Sequence, residues 1–95
     1  MLSGHTDVVP VEGQNWAKAP FEMVLEDGKF YGRGTTDMKG FIASVLAMVP
    51  ASVNRKLKHP IHLAFSYDEE IGCVGVRRMI AVSYTHLTLP TTSRV

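Results

Sequence analysis

One histidine and four acidic residues supply the side chains that hydrolytic metal chemistry uses, and they fall in three short runs of this 95-residue chain. His5 and Asp7 stand in Ser3-Gly4-His5-Thr6-Asp7, Asp37 in Gly32-Arg33-Gly34-Thr35-Thr36-Asp37-Met38-Lys39-Gly40, and Glu69-Glu70 in Ser66-Tyr67-Asp68-Glu69-Glu70-Ile71-Gly72. Imidazole and carboxylate are the donors that a pair of zinc-like divalent ions takes. Residues i and i+2 of a strand share a face, which puts His5 and Asp7 on one side. A metal-ligating imidazole gives its other N–H to a carboxylate, so His5 is read on metal with Asp7 behind it. Alone, a His and an Asp at this spacing are common by chance.

Asp37 sits where glycine-rich backbone meets a helix start. It can cap that helix, and its two oxygens can also bridge two cations. Both roles stay open. Glu69 and Glu70 are adjacent, so extended backbone would turn them to opposite sides. One would then bind metal while the other reaches the water or substrate side. The plainer alternative is a solvated acidic turn, and Asp68 is assigned that role. A phosphate loop is excluded. Asp37 stands where a dinucleotide fingerprint wants glycine or alanine, Lys39-Gly40 is not Gly-Lys-Ser/Thr, and an acid there repels phosphate.

The elements that must position these groups are legible in outline. Met1 to His5 reads as the end of a strand, Asp27-Gly28 as a hairpin turn, and Lys29-Phe30-Tyr31 as its return. Met38, Phe41, Ile42, Val45, Leu46 and Val49 follow helical spacing up to Pro50, without a charge after Lys39, which predicts a helix buried on most sides. From Pro60, residues Ile61, Leu63, Phe65 and Tyr67 share a strand face. A second helix is expected near Cys73, with Val76, Met79 and Ile80 inward and Arg77-Arg78 outward. This order predicts an α/β fold with a mainly parallel sheet. His59 and His62 are read as a solvent-facing and a structural residue, Cys73 as a packing residue, and Trp16 as a loop anchor that could wall a substrate pocket.

Ten Lys and Arg against 9 acids give no reason to expect a nucleic-acid or membrane-surface partner. One cysteine forms no internal disulfide, and no apolar run suits a membrane span or signal peptide, so a cytoplasmic location is expected. Residues 82–95 break the pattern. Val82 to Thr92 is threonine-rich without Asp, Glu, Lys or Arg, and it resembles one translated frame of a transposase adapter used in sequencing libraries. A catalytic part over 1–81 and a non-native tail over 82–95, which includes His86, are therefore expected.

Together, Leu2 to Pro10, Gly32 to Gly40 and Asp68 to Gly72 resemble the dinuclear zinc aminoacylase and exopeptidase family, in that family's order and spacing. Val11 to Trp16 and Phe65 to Arg77 are most similar to its acetylornithine deacetylase branch. The resemblance implies a three-layer α/β/α catalytic domain in the full-length protein, a homodimer, and an N-acyl amino acid substrate. It implies two divalent metal ions, zinc or alternatively cobalt. His5 would bind one, Asp37 would bridge both, and Glu70 would bind the other. Asp7 would orient His5, Glu69 would be the general base, and the Asp37–Met38 peptide would be cis. The family's further acidic ligand and final histidine lie beyond this chain, and so do its upstream strands and dimerisation domain. The 95 residues alone are therefore expected to bind zinc weakly and to be inactive. A succinyl-diaminopimelate desuccinylase, another N-acyl-amino-acid hydrolase or metallo-carboxypeptidase of the family, and a non-catalytic interaction domain keeping the fold are the alternatives.

Overall fold

A computed structural model describes residues 1–83. Most of the expected tail, and His86, lie outside the described residues, while Val82 and Ser83 close the last helix. Strand β1 (Leu2–His5) pairs in parallel with β4 (Leu63–Ser66), matching Leu2 with Leu63 and His5 with Ser66. Hydrogen bonds from Leu2 N to His62 O (2.8 Å) and Thr6 N to Ser66 O (3.0 Å) extend the pairing at both ends. Strands β2 (Val24–Glu26) and β3 (Lys29–Tyr31) form a separate antiparallel hairpin. Asp27 and Gly28 both have positive φ, 51° and 72°, the arrangement of a type I′ turn. With two helices this is an α/β arrangement containing a parallel pair.

Helix α1 spans Gly40–Val53. It neither begins at Met38 nor ends before Pro50, as helical spacing and proline had suggested. Met38 belongs to a wide turn over Thr35–Lys39, and Pro50 lies inside the helix. Pro50 costs α1 one backbone N–H, and separately the last-turn carbonyls gain side-chain donors: Ser52 Oγ bonds Met48 O at 2.9 Å and Asn54 Nδ2 bonds Pro50 O at 3.3 Å. The expectation that α1 is buried on most sides also fails. Only one stripe, Ile42, Val45, Val49 and Ser52, is half-buried, while Phe41, Leu46 and Met48 are exposed. A two-stranded sheet is too narrow to cover more. An apolar groove of about 500 Å³ is lined by Val45, Val49 and Ser52 of this stripe together with Leu2 and Leu63.

A short 3₁₀ turn (Val74–Val76) leads into α2 (Arg77–Ser83). Val76 and Met79 are half-buried and line a cavity with Ser3, His5 and Ser66, whereas Ile80, expected inward, is exposed. Among the described residues no apolar side chain is buried, and none of their helices is long and apolar enough to cross a membrane.

Lys39 Nζ donates to Thr6 O at 2.6 Å and so ties the glycine-rich segment to the end of β1, while Lys39 N closes the turn on Gly34 O at 2.8 Å. Gly34 has φ 87°, and a Cβ there would stand 2.8 Å from Val8 Cγ1, so this crossing requires glycine.

Pro50→Ala restores an amide donor inside an exposed helix. It should raise helical circular dichroism and stabilise the chain by about 1–3 kcal/mol. Unchanged or lower helicity would contradict this account of α1.

Candidate metal centre

His5 is 7% exposed at the end of β1. Its Nδ1 lies 3.0 Å from the backbone carbonyl of Asp7. A carbonyl only accepts, so Nδ1 carries the proton and donates, leaving the Nε2 lone pair on the opposite side of the ring. Three carboxylates face that nitrogen: Asp37 Oδ1 at 3.1 Å, Glu69 Oε2 at 3.8 Å and Glu70 Oε1 at 3.9 Å. Oxygens and a nitrogen that all offer lone pairs to one point repel unless a proton or a metal cation lies between them.

Asp7 does more than stand behind the imidazole. Its carboxylate accepts the backbone N–H of Glu69 at 3.1 Å through Oδ1 and that of Glu70 at 3.0 Å through Oδ2. Oδ1 also lies 3.4 Å from His5 Nδ1, so the strongest hold on the ring comes from the Asp7 backbone. Two consecutive amides that point at one carboxylate cannot belong to extended backbone. This corrects the expectation that Glu69 and Glu70 face opposite ways. Asp68 adopts a left-handed φ of 53°, and the chain turns there, with Cys73 N bonded to Glu69 O at 2.9 Å. Both glutamates therefore converge on His5.

Asp37 arrives from the wide turn after Gly34, and the Asp37–Met38 peptide bond is cis. It makes no capping hydrogen bond to α1, whose N-terminal flank is Lys39, so the capping role is not observed. His5 N donates to Met38 Sδ at 3.4 Å, which seats the turn against β1. Exposure grades outward, from Glu70 (18%) through Glu69 (42%) to Asp37 (69%).

Titration follows this crowding. Burial pushes the His5 imidazole down, but the Asp7 carbonyl, the Asp37 carboxylate and the charges of Glu69 and Asp37 outweigh it and raise its pKa. Burial also raises Glu70, and the charges of Asp37 and Glu69 push it further up. For Asp7 the burial effect is overcome by the amides of Glu70 and Glu69, which hold its carboxyl below the usual range. Protons would substitute here for a cation.

The donor set fits a divalent metal. One ligand atom each from His5, Glu69 and Glu70 can be chosen within 4.8 Å of one another, and Asp37 adds a carboxylate on the Nε2 side. Imidazole nitrogen with carboxylate oxygen suits zinc. Among the described residues, the other histidines do not join it: His59 and His62 are both exposed, and the His62 carbonyl accepts Leu2 N. Cys73 is exposed and its Sγ lies 3.6 Å from Glu69 Oε1. Trp16 lines a cavity of about 200 Å³ with Arg33, Asp37 and Glu70, so it does wall a pocket beside the cluster. Arg33 was not singled out in the sequence; its place between two glycines of the second run was the available signal.

An imidazole faced by carboxylates is a donor set that metal-dependent hydrolases and peptidases use. A sequence model of peptidase family M20/M25/M40 matches residues 1–92, and the chain belongs to that family. Its members generally bind divalent metals. No solved structure matches the chain.

In the metal-free chain, the stability that His5 pairing contributes is full below about pH 6.5 and is lost as pH rises through its raised folded pKa. Asp7 acts oppositely: its contribution stands above the usual value near 3.8 and is lost as pH falls through its lowered folded pKa. An NMR titration should place the His5 midpoint above 6.5, and Asp37→Asn should lower it. A wild-type midpoint at or below 6.5 would contradict the assigned surroundings.

Proposed function

We propose that the chain carries the first metal-binding half of an amide hydrolase that removes the acetyl group from N-acetylornithine, releasing ornithine and acetate in arginine biosynthesis. The observation that carries the hydrolase reading is the His5 Nε2 lone pair faced by three carboxylates. The narrower choice rests on the likeness of Val11 to Trp16 and Phe65 to Arg77 to the acetylornithine deacetylase branch. The working protein in this reading is a cytoplasmic homodimer that takes a small N-acyl amino acid.

In this reading His5, Asp37 and Glu70 would be the side chains that hold divalent metal, with zinc preferred. The bound ions supply Lewis-acid polarisation of the amide carbonyl and a nucleophile at neutral pH. Asp7 fixes the acidic turn through two amides and keeps His5 in the tautomer that presents Nε2. Glu69, the more exposed of the paired glutamates, takes the proton of the attacking water and delivers it to the departing amide nitrogen.

In the intact enzyme, Glu69→Gln should leave metal content unchanged and lower deacetylation by about 10²–10⁴-fold. His5→Ala should remove metal and activity together. Assay of the intact enzyme on N-acetylornithine, N-succinyl-diaminopimelate and other N-acyl amino acids tests the substrate. Faster turnover of the succinylated compound would replace the acetylornithine reading with a desuccinylase, and no turnover of any would favour a non-catalytic domain.

A further inference from the structure

Asp37 is the acid of the cluster least held by its own surroundings. It is 69% exposed, and its carboxylate meets His5 Nε2 at 3.1 Å. Packing alone cannot fix so open a side chain. The two residues that follow it supply a hold through the backbone of β1. Met38 Sδ accepts the N–H of His5 at 3.4 Å, and Lys39 Nζ donates to the carbonyl of Thr6 at 2.6 Å. The N–H groups of Leu2 and Thr6 serve the pairing with β4. By the alternation of a strand, the His5 N–H then points to the opposite edge of β1, where the thioether receives it. Consecutive residues of the turn thus grip consecutive residues at the strand end.

Lys39 follows Asp37 by two positions, yet among the described residues no carboxylate pairs with its ammonium. The charge goes to a neutral carbonyl instead, in a bond stronger than an uncharged donor would make. Its stem runs over Gly34, where a Cβ would stand 3.6 Å from Lys39 Cδ. An ion pair with Asp37 would compete for the carboxylate that faces His5. The observed contact leaves that carboxylate to the ring nitrogen or to a cation.

We propose that Met38 and Lys39 are positioning residues for the metal centre: their grip on His5 and Thr6 fixes Asp37 against His5 Nε2 and so sets the affinity for divalent metal. The proposal rests on the hydrolase reading for the identity of the cation, but the grip itself is a property of the metal-free chain.

Lys39→Met keeps the alkyl stem and removes the donor. Loss of a nearby positive charge by itself favours a bound cation, so charge alone predicts tighter zinc. Positioning predicts the reverse. Zinc binding by the full chain should weaken about tenfold with the far-ultraviolet spectrum unchanged. Lys39→Arg, which keeps a cationic donor, should return it to within about threefold of wild type. In the Asp37→Asn background, Lys39→Met should cost less than about twofold, because its effect runs through Asp37. Before zinc is added, the His5 amide should exchange about fivefold faster in Lys39→Met, the worth of one hydrogen bond. The Thr6 amide, bonded to Ser66 O, should keep its protection. Met38→Leu removes the sulfur acceptor and should weaken zinc and speed His5 exchange likewise, and it decides the matter if Lys39→Met does not fold. Unchanged or tighter zinc, an equal loss with and without Asp37, or unchanged His5 exchange would overturn the proposal. A wild-type chain that takes up no zinc at His5 sinks the hydrolase reading, and the exchange rate of the His5 amide then decides the grip by itself.

Discussion

The carboxylate of Asp7 is the constraint from which the site follows. It accepts the amides of two consecutive residues, Glu69 and Glu70. That pair of bonds joins the end of β1 to the turn after β4, more than 60 residues later. The same residue's carbonyl fixes the His5 tautomer. Free of this contact, the acidic turn would have no reason to bend toward a histidine, because two glutamates and an aspartate repel one another. Hydrogen bonding to the charged form of Asp7 offsets its desolvation and keeps it ionised in place.

The cluster so assembled is electrostatically unfinished. Its imidazole is held above its usual pKa and Glu70 is raised as well, both signs of negative charge gathered in one place. Structural ion pairs perturb titration too. A structural pair, however, matches charges, whereas here three acids surround one imidazole, which can supply at most a single positive charge. Membership of a family that generally binds divalent metals supplies the natural counter-charge.

Much of the fold was legible from local pattern. Asp27-Gly28 forms its turn because both residues tolerate positive φ, and the alternating run from Leu63 pairs as a strand. The outer limits of α1 were not legible, because proline near a helix end removes a single backbone bond and the helix runs on past it. Its burial was misread for a different reason. Apolar composition records what a helix can pack against, and the described sheet covers only one stripe of it.

The site was legible in its members but not in its construction. Residue types and order brought His5, Asp7, Asp37, Glu69 and Glu70 forward together. The alternation rule for adjacent residues then failed at Glu69-Glu70, because it assumes extended backbone and Asp68 turns the chain. The Asp7 clamp and the grip of Met38 and Lys39 on β1 are contacts across loops, which no periodicity encodes. The most direct test of the central claim is anomalous diffraction from zinc-soaked crystals of the protein. The account predicts a peak about 2.0–2.1 Å from His5 Nε2, in reach of Asp37 or Glu70 oxygen. Zinc bound elsewhere, with the His5 lone pair still facing bare carboxylates, would contradict it.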